Sequence, residues 1–126
     1  MEFLNETIRS QYRTRQLCLA LQEVTLMLEC LAARTQKMPK GICITDIYRP
    51  NDKDSYHSKW QAVDIRDRDW TPQFHAAVRA ILVALKSVDP CIQHEFEPSD
   101  RHPKSAPHLH LEYSDGSLEK GKHETL

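Results

Sequence analysis

The sequence predicts a single α+β domain with helices on one side of a small, mainly antiparallel sheet. Three observations lead there. Two stretches, about Ile8 to Gln36 and Phe74 to Leu85, repeat apolar residues at three- and four-residue spacings, as a helix with one covered face does. Two others, Gln61 to Arg66 and His108 to Tyr113, alternate apolar and polar residues, as a half-covered strand does. The elements then run helix, strand, strand, helix, strand, strand, an order suited to helices segregated on one face of a sheet.

In the first stretch Leu17, Ala20, Leu21, Val24, Met27, Leu28 and Leu31 form the stripe, and one long helix over about 8–36 is expected. Lys37-Met38-Pro39-Lys40-Gly41 ends it with proline and glycine. Ile42 to Tyr48 is rich in β-branched residues and reads as a strand, followed by the polar turn segment Arg49 to Asp54. In the strand at Gln61–Arg66, Val63 and Ile65 face the core, while Ala62, Asp64 and Arg66 share the other face. Thr71-Pro72 opens the next helix as N-cap and first-turn proline, and Phe74, Ala77, Val78, Ile81, Leu82 and Leu85 give its stripe. Asp89-Pro90 breaks the chain before a third strand, Cys91 to Glu97. A proline-rich loop, Pro98 to Pro107, leads to the fourth strand, where Leu109 and Leu111 point one way and His108, His110 and Glu112 the other. The domain spans 1–113, and 114–126 reads as a polar, loosely ordered tail.

Composition narrows the function classes. A chain of 126 residues, 40% hydrophobic and 28% charged, has the make-up of one globular domain. The net charge of -1 and the mixing of signs along the chain point to neither nucleic acid nor an anionic membrane as partner. Acidic residues in Met1 to Glu6 stand where a signal peptide would be basic, and no apolar run approaches spanning length. Synthesis in the cytoplasm without a cleaved signal and without membrane insertion is the expectation. Cys18, Cys30, Cys43 and Cys91 form no Cys-x-x-Cys pair, which argues against a thiolate metal site or a redox motif. Cys18 and Cys30 would lie about 18 Å apart on one helix, too far to bond. Cys43 and Cys91 are disulfide partners only if their strands pair; otherwise all four are small apolar residues.

The chemistry concentrates in Ser55-Tyr56-His57-Ser58-Lys59-Trp60-Gln61-Ala62-Val63-Asp64 and in Pro107-His108-Leu109-His110-Leu111-Glu112. His57, Asp64, His108 and His110 lie in or beside strands, on the face opposite the apolar residues. One such histidine alone is more often a surface residue; the convergence of four is what suggests a site. Two His and one carboxylate can bind zinc and leave a fourth position open, which suits metal-assisted hydrolysis.

Ser55-x-His57 followed by Ala62-x-Asp64 resembles the Ser-x-His-x-x-Gly-x-Ala-x-Asp signature of the zinc D-alanyl-D-alanine carboxypeptidase and L-alanyl-D-glutamate endopeptidase family, whose fold is shared with Hedgehog signalling domains. Ile44 to Arg49 resembles the family's strand ending in Gly-Tyr-Arg, and Pro107-His108-Leu109-His110 its closing histidine motif, in the family's order over about 42–113. The resemblance implies a Hedgehog/DD-peptidase-like fold, a zinc cofactor, and hydrolysis of amide bonds next to D-amino acids in peptidoglycan stem peptides. A phage-type lysis enzyme reaching the cell wall after release, or a domain within a phage-like particle, would fit its small size.

Carried across by position, His57 and Asp64 become zinc ligands. His110 is the favoured third ligand, with His108 beside it stabilising the transition state; His108 is the alternative ligand. Arg49 and Ser55 match positions for the developing oxyanion and for substrate contacts, as against a solvated arginine and a loop hydroxyl. Three positions depart from the family. Trp60 stands where the signature has glycine, so a backbone requiring positive φ there would be strained unless the loop rearranges. Asp46 and Ile47 replace Ser-Gly, and Ser105 occupies a place where an acidic general base is expected. The carboxylates left for that role are Glu97, ahead of Glu95, and Asp100. Two other readings follow from these departures: a zinc-binding module of the same fold without catalysis, and a metal-free assembly protein built on its long helix.

Overall fold

The computed structural model describes residues 1–35 and 40–118, an α+β arrangement of three helices and one five-stranded mixed sheet. In chain order the elements are β1 (Glu2–Phe3), α1 (Glu6–Arg13), α2 (Leu19–Arg34), β2 (Cys43–Asp46), β3 (Ala62–Arg66), α3 (Pro72–Val88), β4 (Ile92–Glu97) and β5 (His108–Tyr113), with a 3-10 turn at Tyr56–Lys59. The sheet order is β1-β2-β3-β5-β4; β1 pairs parallel with β2, and the other three pairings are antiparallel.

The single long helix expected over 8–36 is two helices. Asn5 caps α1 by accepting the Ile8 N–H, and Arg15, with φ 60°, turns the chain into the left-handed region after Thr14. The Cys18 N–H then donates to the Trp60 carbonyl at 2.8 Å, fixing where α2 begins. The break lets α1 lie on β1 and β2 while α2 lies on β5. The predicted stop at Lys37 to Pro39, like Gln36, lies outside the described residues.

Within α2 the buried stripe is Leu21, Val24, Leu28 and Ala32, with Leu17 just ahead of it; Met27, expected in the stripe, is exposed. Thr71 caps α3 through the Phe74 N–H, and Phe74, Val78 and Leu82 are its buried residues. These side chains join Ile44, Val63, Ile65, Ile92, Leu109 and Leu111 in one core, so the sheet face carrying Val63 and Ile65 is the face that the helices cover.

β1 was not expected. The Glu2 N–H donates to the Ile42 carbonyl and the Leu4 N–H to that of Ile44, and the Glu29 carboxylate binds both the Met1 ammonium at 2.7 Å and the Ile42 N–H at 3.0 Å. Two residues held by a distant glutamate leave no periodic signal. The cysteines are free: β2 and β4 do not pair, because β3 and β5 stand between them, so Cys43 and Cys91 are not neighbours across a ladder. Residues 114–118, read as the start of a loose tail, are tied back at both ends, with Asp115 to Ser117 exposed between. Leu118 is buried with Tyr56 and Ala62, and the Ser114 N–H donates to the Cys91 carbonyl. Among the described residues no helix is long and apolar enough to cross a membrane.

Candidate metal centre

The register of β3, β5 and the edge strand β4 assembles the site. β3 and β5 place Asp64 opposite His110 and Arg66 opposite His108; β5 and β4 place Glu95 opposite His110 and Glu97 opposite His108. Since alternate residues share a face, two adjacent rows of polar side chains cross the sheet on the side away from the helices.

His57 enters from the 3-10 turn. The Ser55 hydroxyl caps that turn by accepting the His57 backbone N–H at 3.2 Å. Trp60 ends it at φ 58°, ψ 31°. Trp60 thus sits in the left-handed region that glycine adopts most easily, at a cost of roughly 1–2 kcal/mol for a residue with a Cβ. The Trp60 ring stacks on Tyr48 at 4.2 Å and an interplanar angle of 6°, which offsets part of that cost.

The His57 ring is fully buried. Its Nδ1 lies 2.6 Å from the Ile47 carbonyl oxygen, which can only accept, so in the neutral ring Nδ1 carries the proton and Nε2 presents a lone pair. That Nε2 has no hydrogen-bond partner and stands 3.4 Å from Asp64 Oδ1. A buried nitrogen left unpaired costs stability unless something satisfies it.

Asp64 Oδ1 is also 2.8 Å from Nδ1 of His110, whose Nε2 is 2.8 Å from Glu112 Oε1. Burial opposes the charged form of Asp64, but the hydrogen bond and charge of the His110 ring outweigh it and hold the carboxyl well below the usual carboxylate range. Burial likewise disfavours the charged ring of His110, and hydrogen bonds to Asp64 and Glu112 outweigh it, raising its pKa to about 9. One ligand atom each from His57, Asp64 and His110 lie within 4.8 Å of one another, a group that can hold a metal ion.

His108 stands next to this group. Its Nδ1 donates to the Ala106 carbonyl at 2.7 Å; its Nε2 is 3.8 Å from Asp64 Oδ2 and 3.3 Å from Glu97 Oε2. The two candidate bases differ in their engagements. Glu95 spends one oxygen on the Ser99 hydroxyl at 2.7 Å and the other on Arg101 at 3.4 Å. Glu97 accepts from the Ser105 hydroxyl at 2.9 Å through Oε1 and keeps Oε2 toward His108. Glu95, Glu97 and His102 also come close enough to share an ion, but His102 is exposed and loop side chains already occupy both glutamates.

Arg49, Ser55, Asp64, Glu95, Glu97, His108 and His110 line one open cleft of about 840 Å³. Fully buried His57 is the one residue of the predicted set absent from the cleft lining. Arg49 is tied by its guanidinium to Asp46 at 2.9 Å and Asp52 at 3.3 Å. Sequence reasoning did not assign roles to Glu112, Ser105 or the Ile47 carbonyl. Glu112 was legible as sharing the His108–His110 strand face; the other two depend on contacts between segments. No protein-family model matches the chain, and comparison with curated proteins and with solved structures gives no match.

Proposed function

We propose that the chain is a zinc-dependent peptidase of the Hedgehog/DD-peptidase type, hydrolysing amide bonds next to D-amino acids in peptidoglycan stem peptides. The observation that carries this reading is the fully buried, unpartnered Nε2 of His57, 3.4 Å from Asp64, in a cluster with His110 beside an open polar cleft. Two imidazoles and a carboxylate, with one imidazole already locked in its metal-ready tautomer, fit zinc. Zinc bound there supplies Lewis-acid polarisation of a carbonyl and acidifies water.

The chain's own residues divide the remaining work. Glu97, oriented by Ser105 through one oxygen, takes up and returns the proton through the other, in reach of the cleft. His108, with Nδ1–H fixed on Ala106, points Nε2 between Asp64 and Glu97; when Nε2 also carries a proton, the ring donates it as a hydrogen bond to the oxyanion that develops on the scissile carbonyl. Arg49 contributes positive charge from the cleft wall, and Glu95 holds the 98–107 loop in place through Ser99 and Arg101.

A second reading, a zinc-binding module of this fold without catalysis, draws support from Arg49 and Ser55. Two aspartates already engage the former, and the latter's hydroxyl serves as a cap. The assembly-protein reading was built on one long helix, and the chain has two there, of 8 and 16 residues.

The experiment is metal content of protein purified without added zinc, beside His57→Ala and Asp64→Ala, followed by digestion of purified peptidoglycan. About one zinc per chain, lost in both variants, together with released stem peptides, is the expected result. Zinc without release would favour the non-catalytic module, and no zinc even after reconstitution would remove both.

A further inference from the structure

Each imidazole of the metal group has one nitrogen aimed into the group and the other held from outside. For His57 the outer partner is the Ile47 carbonyl at 2.6 Å. For His110 it is the Glu112 carboxylate, 2.8 Å from Nε2, while Nδ1 faces Asp64 Oδ1, also at 2.8 Å. The two rings are therefore oriented oppositely: one offers Nε2, the other Nδ1. A ring of free orientation could present either nitrogen, so the outer acceptor decides which one carries the proton. Glu112 sits two residues along β5 from His110, on the same sheet face, with Gln93 and Ala62 as its cross-strand partners.

We propose that Glu112 is a positioning residue: by accepting the Nε2–H of His110 it fixes the tautomer in which Nδ1 binds the metal shared with His57 and Asp64. This rests on the His57–Asp64–His110 group holding a metal, and it is independent of whether the cleft hydrolyses anything. A strand fixes backbone but leaves the imidazole free to flip about its last side-chain bond; Glu112 removes that freedom before metal arrives. Removal of such an outer hydrogen bond costs roughly 10–100-fold in metal affinity.

The test measures zinc affinity of the full chain by competition with a chromogenic chelator, for the parent, Glu112→Ala and Glu112→Gln. Glutamine keeps an acceptor oxygen for the Nε2–H and loses the charge. The expected result is a roughly 10–100-fold weaker affinity in the alanine variant, largely recovered in the glutamine variant. Two-bond proton–nitrogen NMR correlations of zinc-loaded parent would show His110 protonated at Nε2 and bound through Nδ1. Thermal melts of the metal-free forms separate a positioning loss from misfolding. Parent-like affinity in a folded Glu112→Ala, or His110 bound through Nε2, would overturn the proposal. Failure of the parent to bind zinc at all would instead overturn the metal site itself.

Discussion

Asp64 and His110 face each other from adjacent strands with Oδ1 and Nδ1 2.8 Å apart, and each stabilises the charged form of the other. In the metal-free protein the pair behaves as a partly buried ion pair; a metal must displace a proton from it.

Zinc affinity is expected to fall about tenfold for each pH unit below about 9, because His110 must give up the proton it holds up to that pH. Chelator competition at several pH values checks the slope. A flat profile between pH 6 and 8 would show that His110 enters the site already neutral.

The stability of the metal-free protein follows the same pair with opposite signs at its two ends. His110 is raised from 6.5 to about 9, so its contribution is full below pH 6.5 and lost as pH rises through about 9. Asp64 is lowered from 3.8, so its contribution is present above pH 3.8 and lost as pH falls toward its folded-state value. Melts in excess chelator are expected to show a plateau between about pH 4 and 6.5 and a decline toward pH 9. Zinc should remove the alkaline decline.

His110→Ala and His108→Ala should separate binding from chemistry. The former is expected to lose metal, by more than the roughly 10–100-fold that an outer hydrogen bond is worth. The latter, anchored on Ala106 rather than in the three-residue group, should keep its zinc while the proposed hydrolysis slows at least tenfold. Metal retention reversed between the two variants would make His108 the third ligand.

Glu97→Gln is expected to lower peptidoglycan hydrolysis about 10²–10⁴-fold with zinc content unchanged. Glu95→Gln, which loosens the contacts to Ser99 and Arg101, should cost less than about tenfold, because Glu95 holds the loop rather than facing His108. Kinetics on a defined stem peptide would rank them; equal losses would leave the base unassigned between the two.

Trp60→Gly tests the strained turn. Glycine relieves roughly 1–2 kcal/mol of left-handed cost but forfeits the stack on Tyr48 and the packing of a large ring. A net loss of about 1–3 kcal/mol in denaturant melts is expected, since the lost packing of a half-buried aromatic ring outweighs that relief. A stabilised variant would show that the Trp60 ring contributes little packing.

Much of this arrangement was legible in residue patterns. Alternation at Ala62–Arg66 and His108–Tyr113 placed Asp64, His108 and His110 on the uncovered face, because a period of two assigns faces without knowledge of partners. The register that puts Asp64 opposite His110, rather than opposite a neighbour, is a long-range outcome and was not legible. The break between α1 and α2 leaves no mark in the sequence, because Arg15 and Gln16 are ordinary helix formers; the left-handed Arg15 there is followed by Cys18 held on the Trp60 carbonyl. Ser105 was recognised only as a missing acid. Its hydroxyl, near the far end of the loop that follows β4, turns back to orient the carboxylate of Glu97 at the end of that strand.

The two histidines and the aspartate reach the group from segments that are remote in sequence, Asp64 and His110 being 46 residues apart. An ion seated among them would close that span as a cross-link does, joining the adjacent strands β3 and β5. Unfolding would then have to release the ion before β3 and β5 could part. The loaded protein should accordingly unfold more slowly while folding at much the same rate, with the backbone amides of those two strands the last to exchange with solvent.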